Sequence, residues 1–204
     1  MEKPSFKLRT YAFIDRMQPQ YAAFLGSELD GDVVLANMAE LWLELAPGSE
    51  VYNLLDFALK ATNAKPGLQL VEREFGVLEI HSEFTDSVKE AGQVILARTG
   101  LSLADRMKPQ IMSSKIISKV NPHQAQQLNK HRHGNLLIPG ESMLVFECEP
   151  AAYIVLAANE VEKLTNISLV HINLFGRFGR LFVSGSESEI RSALDIATET
   201  IGNV

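Results

Sequence analysis

Lys60-Ala61-Thr62-Asn63 returns further along the chain as Lys163-Leu164-Thr165-Asn166. The offset is 103 residues, and it holds without a gap over most of the sequence. It carries Pro19 onto Pro122, Leu25 onto Leu128, Gly31 onto Gly134 and Leu41 onto Leu144. It also carries Glu44 onto Glu147, Pro47 onto Pro150, Phe75-Gly76 onto Phe178-Gly179 and Leu78 onto Leu181. A period of this length is one whole small domain, well beyond the roughly 20–50 residues of a solenoid unit. The chain is a tandem duplication. Homo-oligomers close into point-group rings, and a doubled chain closes the same ring with half as many subunits.

The 204 residues accommodate two domains of roughly 100 residues each, placed here at 7–104 and 105–204. Apolar residues make up 46% and charged residues 22%, the balance of an ordinary globular protein. A net charge of −6 argues against a surface that tracks nucleic-acid phosphates. One Trp and four Tyr are too few for a base-stacking platform. Cys148 is the single cysteine, which fits a reducing compartment, and its repeat-mate Leu45 points to a buried apolar role. No apolar run approaches the roughly 20 residues of a membrane span, and Met1 to Lys7 lacks a signal-peptide core. The expectation is a cytoplasmic protein with no membrane or nucleic-acid partner.

Each repeat reads as mixed α/β. Leu8 to Ile14 has strand composition, and Pro19 and Pro122 stand at the first turns of helices. Val33 to Leu35 and Leu136 to Ile138 read as a small strand or hairpin arm. Leu41 to Leu45 and Met143 to Cys148 read as buried strands. Pro47 and Pro150 are expected to open the clearest helices, with apolar faces at Val51, Leu54, Leu55, Ala58, Ala61 and at Ile154, Ala157, Ala158, Val161, Leu164. Lys60 and Lys163 lie off those faces. A strand–turn–strand unit follows, with Phe75-Gly76 and Phe178-Gly179 near its turn. Each repeat closes on a helix carrying Val88, Ala91, Gly92, Ile95 or Ile190, Ala193, Leu194, Ala197, Ile201. A short polar connector, Gly100 to Pro109, joins the repeats. The fold class is α/β (α+β), with a small antiparallel-containing sheet flanked by helices in each domain, of ferredoxin-like type.

Beyond the repeat, specific stretches resemble one family. They include Leu8-Arg9-Thr10-Tyr11, Met17-Gln18-Pro19-Gln20, Leu45-Ala46-Pro47-Gly48 and Ala58-Leu59-Lys60-Ala61-Thr62. Pro66-Gly67-Leu68-Gln69, Val71-Glu72-Arg73, His123-Gln124-Ala125 and Gly140-Glu141-Ser142-Met143 follow, then Ala157 to Lys163 and Phe178-Gly179-Arg180-Leu181. In order and spacing these resemble the tandem-domain shell proteins of bacterial microcompartments (BMC), in the circularly permuted subgroup of carboxysome-type stacking trimers. The resemblance spans nearly the whole chain. It implies two permuted BMC domains and a homotrimer that mimics a flat hexagonal tile. It further implies tiling beside other shell hexamers and pentamers, a central pore for metabolites, and two trimers that can stack face to face. It implies no cofactor, no metal and no catalysis.

On that resemblance Lys60, Asn63, Lys163 and Asn166 are tile-edge contacts. A tile edge needs directional polar contacts, because apolar edges associate without register. Glu72 and Arg73 are carried over as the pore-gating pair, with repeat-mates Phe175 and Gly176. Neighbouring residues of an extended strand point to opposite faces, so Glu72 and Arg73 are not expected to pair within one chain. Around a threefold axis, three arginines repel one another unless glutamates interleave, which gives a closed and an open arrangement. Phe175 and Gly176 bring no charge, so the pore chemistry is threefold. Arg177 either adds positive charge near the axis or faces solvent.

Lys130-His131-Arg132-His133-Gly134 has the look of a metal or anion site, but His131 and His133 at i, i+2 beside a glycine suit neither a helical ligand pair nor a zinc loop. A structural or stacking role fits better. Asp15, Asp30, Asp56 and His81 show no acid–base spacing, and no nucleophile elbow, phosphate loop or dinucleotide fingerprint occurs. Two other readings stay open on the residues alone. One is a soluble trimeric small-molecule-binding or sensory α/β protein, and the other is an enzyme with a site between the repeats.

Overall fold

Strand β1 (Lys7–Ile14) is followed by helix α1 (Pro19–Glu28), strand β2 (Ala39–Ala46), helix α2 (Glu50–Ala61), strands β3 (Lys65–Glu72) and β4 (Phe75–Ser82), and helix α3 (Thr85–Thr99). The same series then repeats as β5 (Gln110–Ile117), α4 (Pro122–Asn129), β6 (Ser142–Glu149), α5 (Ile154–Leu164), β7 (Ser168–Asn173), β8 (Gly179–Gly185) and α6 (Glu187–Gly202). The computed structural model describes residues 5–204; Met1–Pro4, part of the stretch used for the signal-peptide reading, lie outside them. The chain divides into two units. The first takes in the chain up to Met17 and Leu29–Lys108, and the second takes in Gln18–Glu28 and Pro109–Val204.

In the first unit the strand order is β1-β2-β4-β3, with every neighbouring pair antiparallel. Strands β2 and β3 are therefore parallel, joined by α2 with β4 between them, which is a split β-α-β arrangement. The second unit repeats the order as β5-β6-β8-β7. Even the irregularities repeat: register shifts at Leu8/Thr10 and Pro66/Leu68 return at Ile111/Ser113 and Leu169/His171.

Alternation along β2 decides which face is covered. Leu41, Leu43 and Leu45 point to the side where α2 and α3 pack, joining Val51, Leu54, Leu55, Ala58, Val88, Ala91 and Ile95 in one buried cluster. Full burial of each such leucine contributes about 1.5–3 kcal/mol. In α2 the buried set is Val51, Leu54, Leu55 and Ala58. In α5 it includes Ile154, Ala157, Ala158 and Val161. The sheet and helix stripes follow the sequence pattern, as does the buried Cys148.

Three expectations need correction. Val33–Leu35 and Leu136–Ile138 form no strand; Val34 and Leu137 are buried as single anchors, while Val33, Leu35, Leu136 and Ile138 are exposed. Alternating burial in a loop imitates a strand's period. Pro47 and Pro150 do not open the helices: α2 starts at Glu50, and a 3-10 turn (Ala151–Tyr153) precedes α5. Ala61 and Leu164 leave the apolar stripes for solvent, Leu164 at 60% exposure, because the helices end there. The connector also carries a 3-10 turn (Leu103–Asp105), in which Ser102 N–H donates to Asp105 Oδ2 at 2.7 Å.

Helix α1 stands between β1 and β2 in sequence but packs on α5 and β7. The Glu162 carboxylate accepts the N–H groups of Gln20 and Tyr21, each at 2.7 Å, and Asn159 Oδ1 accepts Gln18 N–H at 2.9 Å. These acceptors satisfy N–H groups that a helix start leaves open. Burial of the Glu162 side chain pushes its pKa up, against those hydrogen bonds, which lower it.

Candidate functional site: a charged turn and an exposed helix end

Strands β3 and β4 run antiparallel until Glu72 faces Phe75, which leaves Arg73 and Glu74 at the tip of the turn. Arg73 has φ 56°, in the left-handed region, and its side chain is 91% exposed. Because Arg73 is a turn residue and not a strand residue, the alternation argument does not hold there. Its Nε comes within 3.9 Å of Glu72 Oε1, a loose contact within one chain where none was expected. Solvent screening leaves such an exposed pair about 0–1 kcal/mol.

The equivalent turn of the second unit joins β7 to β8. Gly176, at φ 95°, takes the place of Arg73, and the half-buried Phe175 takes the place of Glu72. Arg177 is 76% exposed, with Nε 3.8 Å from Glu149 Oε1 and its guanidinium 5.0 Å from the Phe178 ring centre. A left-handed backbone is nearly free for glycine and costs an L side chain roughly 1–2 kcal/mol.

Lys60 and Lys163 end their helices in matching positions. Lys60 Nζ lies 2.6 Å from Asp56 Oδ2, and Lys163 Nζ lies 3.1 Å from Glu160 Oε1. Both ammonium groups remain largely in solvent, as do Asn63 and Asn166. The repeated threonine has a local explanation. Thr62 Oγ1 donates to Ala58 O at 3.0 Å and Thr165 Oγ1 to Val161 O at 2.6 Å, closing the last turn of each helix.

Two arrangements escaped the reading of the sequence. On the face of β2 and β4 away from α2 and α3, His81 Nδ1 lies 3.2 Å from both oxygens of Glu79, and Trp42 Nε1 donates to Glu40 Oε2 at 3.0 Å. All four side chains are buried. Burial raises the Glu79 pKa, while His81 and the Gly67 N–H pull it down. Gly67 leaves the space for that carboxylate: a Cβ there would meet Glu79 Oε2. The i, i+2 spacing within each strand (Glu40 and Trp42, Glu79 and His81) was a visible signal, but local sequence does not show that this second face of the sheet is buried. The other is the anchoring of α1. His133 Nδ1 pairs with Glu28, and its ring stands edge-on to His171 with centres 5.4 Å apart, so this histidine serves the α1 joint. His131 stays exposed.

Among the described residues, no group of three or more His, Cys, Asp or Glu could hold a metal, and no helix is long and apolar enough to cross a membrane. The features that stand out are an exposed strained arginine in a turn and matched lysines at two helix ends.

Residues 8–105 match the family model described as the CsoS1D N-terminal domain. The carboxysome shell protein CcmP of Synechococcus elongatus is 40% identical over 198 residues, covering 97% of this chain and 93% of that protein. Among solved structures, the fused permuted hexameric shell protein of the RMM microcompartment has a TM-score of 0.93 at 38% identity, covering 97% of both chains. The double ringed trimeric shell protein of the same microcompartment has a TM-score of 0.93 at 34% identity, covering 98% of this chain and 97% of that one. Similarity over the full length, with both permuted repeats superposed, identifies the chain as a structural shell protein of the tandem-domain microcompartment family to which CcmP belongs.

Proposed function

We propose that three copies of this chain close into a pseudohexameric tile of a microcompartment shell, with the β3–β4 turns around a central opening through which metabolites pass. Arg73 carries the reading. A long cation held in a left-handed turn position, where the sister repeat has glycine, is maintained at a cost in stability, and such strain collects at functional sites. Three copies around an axis bring three Arg73 and three Glu72 side chains together, beside the uncharged Phe175 and Gly176. Interleaved Arg–Glu pairs close the opening, and side chains swung outward leave it wide. The assembly does not need the enzyme chemistry or the sensory pocket considered on the residues alone.

Lys60 with Asn63 and Lys163 with Asn166 then sit at the tile edge against neighbouring shell hexamers and pentamers, within the cytoplasmic compartment that the shell encloses. Loosely held ammonium groups are suited to this, because exchanging an exposed helix pair for an intertile contact gives up only about 0.3–0.5 kcal/mol. Two tiles stacking face to face is consistent with the double ringed relative.

Electron microscopy of the purified protein tests the tile: hexagonal outlines, sheets or stacked discs are expected, and monomers in solution would end the proposal. For the gate, the double variant Glu72→Ala with Arg73→Ala is expected to assemble normally with the opening fixed wide. Failure of that variant to assemble would make the pair structural.

A further inference from the structure

Helix α1 and its repeat-mate α4 have the same place in their sequence repeats but different surroundings. In α1 a second face is covered: Tyr21 and Phe24 are fully buried, and the Phe24 ring stands edge-on to His171 at 5.6 Å. The corresponding residues of α4, Gln124 and Gln127, are exposed, as is His123. The surface that receives α1 also has a mate. It is built from α5, β7 and the loop at 133–135, and the equivalent in the first unit is α2, β3 and the loop at 30–32. The two loops share one backbone arrangement. Gly134 and Asn135 N–H donate to Val170 O and Leu169 O at 3.0 and 2.7 Å, and Gly31 and Asp32 N–H donate to Gly67 O and Pro66 O at 3.0 and 2.8 Å.

We infer that α4 docks on the first unit of a second copy of this chain as α1 docks on the second unit of its own, with His123 and His131 meeting Asp32 and Asp30. The inference rests on the trimer proposed above and names the surface that closes it.

The side-chain pairs of the α1 joint have counterparts that are chemically altered yet still complementary, and the two contacts without a polar mate are not needed in the second joint. Within the chain, Glu28 pairs with His133; their mates are His131 and Asp30, so acid and imidazole exchange sides and the pair survives. Gln20 receives Asn135 Nδ2; their mates are His123 and Asp32, again an imidazole facing a carboxylate. The Gln20 carbonyl also accepts Leu169 N–H at 2.8 Å, and its amide donates to Ile167 O at 2.9 Å. The mate of Leu169 is Pro66, which has no N–H to give, and the mate of Gln20 is a histidine that needs only to donate to Ala64 O. Asn159 accepts Gln18 N–H; its mate Asp56 can accept Asn121 N–H through Oδ1, since Lys60 engages Oδ2. The mate of the capping Glu162 is Leu59, and no acid is required there because α4 caps itself: Asn121 Oδ1 accepts His123 N–H at 2.9 Å.

The charges agree with this. From Asn121 to His133 the arm has Lys130, Arg132 and three histidines and no acid, while its proposed seat has Asp30, Asp32 and Asp56, all exposed. Such complementarity fixes register and accelerates association. Replacement of the buried Tyr21 and Phe24 by Gln124 and Gln127 makes the between-chain joint the more polar of the two, as suits a surface that is wet before assembly.

The test is chemical cross-linking of the pair Asp30→Cys with His131→Cys. An Asp–His contact spans more than a disulfide bridges, so a short bismaleimide of about 8–10 Å is the reagent; Cys148 is buried and out of reach. Covalent dimers and trimers on a denaturing gel are expected only when both cysteines are present. Absence of cross-linking in a protein that light scattering shows to be trimeric would overturn the docking surface and leave the tile intact. A parent protein that is monomeric would instead overturn the tile reading, and with it this one. As a second measurement, Asp30→Lys with Asp32→Lys is expected to weaken the trimer at least about tenfold, and adding His131→Glu to restore part of it. Unchanged trimers from the folded double variant would also refute the inference.

Discussion

Arg73 and Gly176 hold the same position of the same turn in the two repeats, and both have positive φ, 56° and 95°. At that position the backbone itself prefers glycine, so the two substitutions have opposite expected signs. Gly176→Ala is expected to cost about 1–2 kcal/mol, because nothing crowds the site and the loss comes from backbone conformation alone. Arg73→Gly is expected to leave stability unaltered or raise it by up to about 1 kcal/mol. Thermal melting of both variants checks this; a clear loss from Arg73→Gly would show that the arginine is anchored in the fold.

Lys60→Ala is expected to fold and trimerise like the parent, because it removes only an exposed pair with Asp56 worth about 0.3–0.5 kcal/mol. Extended sheets of tiles should be lost or sparse in micrographs. Normal sheets would remove Lys60 from the edge.

Glu79 lies fully buried beside His81, and burial raises its pKa. A carboxyl whose pKa is higher in the folded than in the unfolded chain binds its proton more tightly when folded. Its contribution is therefore present below the ordinary glutamate range and is lost as pH rises through the raised value. Denaturant titrations from pH 4 upward should show this decline, and Glu79→Gln, which keeps an acceptor for the Gly67 N–H, should flatten it. Glu79→Ala should cost about 1–3 kcal/mol by leaving buried donors without a partner. An unchanged slope in the glutamine variant would contradict the assignment.

Glu162→Ala removes the acceptor of two N–H groups at the start of α1 and is expected to cost about 1–2 kcal/mol. Hydrogen exchange should accelerate at residues 20–24 more than in β2 or β6. Uniform acceleration over the chain would mean that α1 has no independent stability.

Much of the fold was legible because burial imposes a period on the chain. Leu41, Leu43 and Leu45 alternate as strand residues must, and Val51, Leu54, Leu55 and Ala58 recur as helix residues must. The same signal misled at Val33–Leu35, where one buried anchor between two exposed neighbours has a strand's period without strand pairing. A turn was expected near Phe75-Gly76, with Glu72 and Arg73 read as strand residues; their contact was not foreseen, since it depends on a turn at Arg73 and on a left-handed φ there that residue identity disfavours.

The amino-acid order alone established the doubling at 103 residues, the element types, the shell-protein resemblance and the matched lysines, because each is carried by local pattern or by comparison of the chain with itself. The packing of α1 on α5 and β7, the Glu162 cap and the burial of Glu79 with His81 were settled by the tertiary structure. These depend on which surfaces meet across more than a hundred residues or across strands, and on the desolvation that follows. Free energies of that kind belong to the assembled surfaces, and no local stretch of sequence contains them.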